Sequence, residues 1–236
     1  MAFSFIASAI AQNDAGSATT LDCTSSLNLN TGDVVVAISA WEGSTTSTVA
    51  ETGGGNSLTM ATLQNDGSNW LQFAYSLSTT ANATSTFRQT LAAGQVIRRI
   101  LVLQFRPTAG STVSLDAGPS NGSGNGTAIT SGNITTTGTD EIVCGGMNAF
   151  DYSTTISNRN IGGSAADGSA VDAVANKLIC CISYKIYSST QTNINAQFTT
   201  SASNLWLGQI IGFKAIVAAS ADTVIPRRSL LINVPI

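Results

Sequence analysis

Three glutamates, Glu42, Glu51 and Glu141, and ten aspartates are the residues of this 236-residue sequence best suited to holding or moving a proton, because it contains no histidine. Without imidazole there can be no Ser-His-Asp or Cys-His nucleophile and no imidazole metal ligand. What remains is carboxylate chemistry, of the kind glycosidases perform with two acids flanking a sugar bond. Glu42 follows Trp41 at the end of a strongly apolar segment, a place where a ring and an acid together could meet carbohydrate. Trp206 is a second such ring, set by alternation opposite Leu205 and Leu207. Trp41, Glu42 and Trp206 are therefore the candidate glycan contacts. Acids in polar turns are ordinarily just solvated, so no catalytic residue is assigned and the chain is not read as an enzyme.

Ions and cofactors find no better footing. Asn65-Asp66-Gly67-Ser68-Asn69 offers the hard oxygen ligands that calcium takes, but the same five residues are what a tight turn requires. The turn is expected, and no metal or cofactor. Four cysteines are too few for a disulfide framework and lack metal-ligand spacing. Cys180 and Cys181 are adjacent, so in a strand Cys180 joins Leu178 and Ile182 in the core while Cys181 faces away. Buried thiols are expected, with a bridge from Cys144 to Cys180 or Cys181 open if those strands pair.

A net charge of −3 offers no general attraction to nucleic acid or anionic lipid. Arg98, Arg99 and Arg106 flank one apolar strand, and Arg227 and Arg228 form a second basic pair. Ion pairs with acidic loops are their expected role; phosphate binding is the alternative.

The elements that must position these residues read as strands. Large residues take every second place in Leu71–Leu77, at Leu101, Leu103 and Phe105, and at Leu178, Cys180, Ile182, Tyr184 and Ile186. Further strands are expected near 3–11, 19–28, 33–41, 57–63, 84–91, 112–116, 127–136, 140–149, 193–200 and 204–217, with Gly, Asn or Asp between most of them. The first of these lacks the basic flank of a signal peptide and is interrupted by Ser4 and Ser8, so a strand in a soluble, non-secreted product is expected. No run approaches the ~20 apolar residues needed to span a bilayer. The best helical attempt, Ala165 to Lys177, carries Gly168 and few large apolar residues, enough for one or two turns at most.

The expectation is thus an all-β fold, an antiparallel two-sheet sandwich of jelly-roll type over residues 1–217. Asp116 to Gly126, DAGPSNGSGNG, reads as a long loop within it, or as a domain boundary. Residues 218–236 read as an extended C-terminal arm. Its alternating Leu230, Ile232, Val234 and Ile236, with Val224, Ile225, Arg227, Arg228 and Leu231, need cover from their own sandwich or from a neighbour. Pro226 and Pro235 keep it from being a central strand.

The stretches Gly32–Glu42, Gly55–Thr59, Trp70–Tyr75, Arg99–Phe105, Asp140–Gly146 and Trp206–Phe213 together resemble a β-sandwich rhythm found in structural proteins of tailed phages and in some bacterial surface proteins. The resemblance covers most of residues 30–217, stops before the arm and carries no active site with it. It implies a virion subunit, such as a capsid decoration, head-fibre or tail-associated protein. Its partners would be copies of itself and other virion proteins, with no nucleic acid and no membrane. The alternative is a glycan-binding module on a phage appendage or at a cell surface, outside the cell.

Overall fold

The run Val34–Trp41 is apolar at nearly every position rather than at alternate ones, and a strand of that kind needs both faces covered. In the computed structural model, which describes residues 2–43, 45–151, 155–172 and 177–217, it is a central strand. The first half of the chain forms β1 (Phe3–Asn13), β2 (Ala18–Asp22), β3 (Leu27–Leu29), β4 (Val34–Glu42) and β5 (Ser47–Thr52). It continues with β6 (Thr59–Met60), β7 (Gln64–Asn65), β8 (Asn69–Ser76), β9 (Asn82–Gln95) and β10 (Arg98–Pro107). The second half forms β11 (Ser111–Thr130), β12 (Glu141–Asp151), β13 (Ile156–Ile161), β14 (Ser164–Ala165), β15 (Gly168–Asp172), β16 (Lys177–Tyr187) and β17 (Ala196–Val217). All pairings are antiparallel, and the described residues contain no helix.

In the first half β1, β10, β4 and β8 are neighbours in one sheet, with β6 and β7 on β8, while β9 pairs β2, β3 and β5 in a facing layer. With β2 and β3 taken together, and β6 and β7 taken with β8, successive segments alternate between layers, as in a jelly-roll-like sandwich. The second half repeats it with fewer, longer strands. Its inner sheet runs β11, β17, β12, β16, β15. Beyond a register shift at Gly126/Ala128, the end of β11 and the start of β17 leave that sheet's register and, with β13, make the outer layer.

The registers repeat as well as the order. Phe3 faces Pro107 as Thr112 faces Ile216; Leu101 faces Ile38 as Ile210 faces Gly145; Val35 faces Ser76 as Ile142 faces Ile186. Subtracting those residue numbers, each position recurs about 107 to 110 residues later. The sandwich expected for residues 1–217 is built twice.

Three apolar clusters separate four layers. Val35, Ala37, Ile100 and Val102 pack on Leu29, Val49 and Phe87 of the first outer layer. Val36, Ile38, Phe73 and Leu103 belong to one cluster with Cys144, Ile182, Leu207 and Phe213, so the two inner sheets share a core. Val143, Met147, Ile179 and Ile210 meet Ile129, Ile161 and Phe198 beneath the second outer layer. Burying each large side chain contributes roughly 1.5–3 kcal/mol, so the shared middle cluster couples the halves strongly. Gly146 permits this approach: a Cβ there would lie 3.0 Å from both Ile38 and Phe73. A polar seam completes the junction, where the Asn148 amide donates to Trp70 O at 2.9 Å and the Gln209 amide to Thr62 O at 2.9 Å.

Two expectations are corrected. Asp116–Gly126 is neither loop nor boundary; it lies inside β11, paired with β17. Its small residues reflect crowding rather than freedom, since a Cβ on Gly124 would lie 2.7 Å from the Trp206 ring. Within 165–177, Gly168–Asp172 forms β15 instead of a helical turn, because an edge of β16 is open to its backbone and backbone pairing outweighs weak helix propensity.

Candidate functional site

Each half ends its inner sheet in an edge strand, β1 in the first and β11 in the second, and the two edges have diverged. An exposed edge offers unpaired N–H and C=O groups to any other chain, and proteins blunt it with charge, proline or bulges. β11 carries all three: Asp116, Pro119 and three register shifts. β1, FSFIASAIAQN, has neither charge nor proline, only one shift between Phe5 and Ala7, and among the described residues its strand pairing is with β10 on one side. Ile6, at that shift, is 40% exposed. Phe5, half exposed, stacks on Tyr184 at 5.0 Å and meets Phe105 edge-on at 5.9 Å, a rigid apolar shelf beside the open edge.

The chain's last described residues lie close to that edge. The Thr108 N–H donates to Ala2 O at 2.7 Å, Ser111 N–H donates to Thr108 O at 3.0 Å, and Ser111 pairs with Val217. Ile216 is exposed there. The arm residues Val224, Ile225, Arg227, Arg228, Leu230, Leu231, Ile232, Val234 and Ile236 lie outside the described residues. Sequence reasoning found β1 as a strand but could not see that it was an edge, since edge position is a property of the sheet.

The acids form a different kind of site. The β11 bulge turns Asp116 inward, where it accepts from Thr137 N at 2.6 Å and from the Thr137 hydroxyl at 2.5 Å and pairs with Lys214 at 2.8 Å. Glu141, fully buried beside it, accepts from Gly138 N at 2.7 Å. Burial, then the neighbouring Asp116 charge, push Glu141 up to about 7. Asp116 suffers the same burial, but Lys214 and Thr137 hold it well below the usual carboxylate range. Glu51 is spent on Asn56 and Asn82, whose amides donate to it at 2.6 and 2.7 Å.

The expected glycan contacts do not come together, and this is a correction. Trp41 is wholly buried, its ring stacked on Trp70 at 5.9 Å and its N–H donated to Thr45 O at 3.0 Å. Trp206 is 8% exposed and sits in the core of the other half, its ring against Gly124. Neither offers a face to a sugar, because these rings anchor cores instead. Glu42 is half-buried at the end of β4, opposite Asn69.

Of the arginines, Arg99 pairs with Asp14 at 2.7 Å and Arg106 with Asp33 at 2.8 Å, as ion pairs. Burial works against the Asp33 charge, yet donors from Arg106, Asn30 and Gln104 keep it below its ordinary value. Arg98 differs: it is 1% exposed, donates to Thr20 O at 2.6 Å, and its Nε and Nη2 have no hydrogen-bond partner among the described residues. Asp66 accepts from Ser68 N and Asn69 N at 2.9 and 2.7 Å, the turn expected at 65–69. All four cysteines are buried thiols, and Cys180 and Cys181 face different cores. Register sets Cys144 opposite Tyr184, four places from Cys180, so no bridge forms.

Comparison with protein-family models, curated proteins and solved structures finds no match.

Proposed function

We propose that this chain is a structural subunit of a phage particle, a decoration or head- or tail-associated protein, which assembles through the open edge of β1 and the arm at 218–236. The observation that carries the reading is the unblunted β1 edge, lying close to Val217, the last described residue before the segment 218–236 follows in sequence. A neighbour's arm, adding as a strand, would satisfy the β1 backbone and cover Ile6. The low charge content suits permanent burial in a symmetric array. The phage setting itself rests on the strand rhythm described above.

Removal of Val224–Ile236 tests it, with mass followed by sedimentation velocity and folding by circular dichroism. The expected product is folded but monomeric, whereas the intact chain associates. Ile6→Lys, a charge on the edge, gives the same loss of assembly with an unchanged melting midpoint. A truncated chain that associates normally, or one that unfolds because the tail belongs to its own core, refutes the reading.

A further inference from the structure

We infer that a trough along β13, on the outer layer of the second half, is a binding site for an acidic oligosaccharide. It uses no residue of β1 or of the arm and stands apart from the assembly reading. Where β13 passes β17 its register shifts between Ser157 and Asn160, and Asn158 adopts φ 45°. Asparagine is among the few residues that tolerate that region. As a result Asn158 and Asn160 border two depressions at once, each of about 330 Å³. One is lined further by Arg159, Ala166 and Ser169, the other by Thr130, Gln197 and Thr199. Joined, they have room for a short oligosaccharide.

The side chains in the trough are uncommitted. Those of Arg159, Asn160, Ser169 and Gln197 make no hydrogen bond among the described residues, and Asn158 makes only a long one of 3.4 Å to Thr199. Amides and hydroxyls, each able to donate and accept, match the mixed demands of sugar hydroxyl groups. Charge then selects among sugars. Arg88, Arg106, Lys185 and Lys214 are each tied to a carboxylate, whereas among the described residues exposed Arg159 has none and no acid lines either depression. A guanidinium held without a counter-ion beside neutral polar groups fits a sugar carboxylate, which it can clasp with two parallel hydrogen bonds.

Titration calorimetry of the full chain with a galacturonic-acid oligomer, against a maltose-series oligomer of equal length, tests this. The uronate is expected to bind at least tenfold more tightly than the neutral sugar and to weaken as salt rises. Arg159→Ala lowers uronate affinity about tenfold or more, Asn160→Asp lowers it through repulsion, and Gln197→Ala lowers it several-fold, all with unchanged circular dichroism. Absence of binding to both oligomers, equal affinity for both, or an Arg159→Ala protein that binds like the parent overturns the proposal. Should Arg159→Ala fold poorly, Asn160→Asp and Gln197→Ala decide the same question: parental uronate affinity in both overturns the proposal, and weakened affinity in both upholds it. Because the Val224–Ile236 deletion changes none of the residues assigned to the trough, loss of assembly and loss of sugar binding are separable results.

Discussion

Asp116 and Glu141 lie side by side near Lys214, and their surroundings drive their proton affinities apart. Glu141 has a folded-state value near 7, above its ordinary 4.5, so the folded protein holds that proton more tightly than the unfolded chain does. The associated stability is complete below about pH 4.5 and is lost as pH rises through 7. Glu141→Gln keeps a neutral side chain, and its urea midpoint is expected to stay level from pH 5 to 8 while the parent loses about 2–3 kcal/mol. Asp116 acts in the opposite sense, its contribution fading in acid as it protonates. The sequence marked Glu141 as one of only three glutamates but left Asp116 in a loop, since nothing local shows that a bulge turns it inward. Arg98 makes the second test at this scale. A buried cation without a carboxylate is costly, so Arg98→Met is expected to leave stability unchanged or raise it by about 1–2 kcal/mol, measured by urea unfolding.

Among the elements, long alternating runs were legible and sparse ones were not. Leu71–Leu77 and Leu178–Ile186 declare their faces through side chains, and both lie within strands, β8 with the turn after it and β16. β11 has few large side chains to declare anything. Its position comes from backbone pairing with β17, and its glycines let Trp206 lie against it. Gly124→Ala should therefore behave as a packing insult rather than as relief of loop entropy. A destabilisation of about 1–3 kcal/mol is expected by thermal melting, where a true loop would gain or stay level. The short β13, β14 and β15 were missed for a related reason: strands of two to six residues hold too little periodicity to register, although the irregularity in β13 shapes the trough.

For the molecule as a whole, the repeat and the shared middle cluster are the decisive features. Because both inner sheets bury against each other, the halves are expected to unfold together. Trp206 reports on the second half, and Trp41 and Trp70 on the first, so fluorescence of Trp206→Phe and of the Trp41→Phe, Trp70→Phe double variant should give coincident urea curves once each is normalised to its own stability. Separate transitions would mean that the halves are thermodynamically independent. The all-β antiparallel character was determined by the sequence alone, since period-two alternation and frequent turn residues act over a few neighbours. So was the burial of Val34–Ile38, whose five consecutive apolar residues demand two covered faces. Tertiary structure decided the rest: that the roll occurs twice, that among the described residues β1 is an unblunted edge while β11 is a blunted one, that Trp41 and Trp206 face inward, and that Asp116 meets Glu141. Each depends on which strands, distant in the chain, become neighbours, and pairing between distant backbones leaves no local periodicity to read.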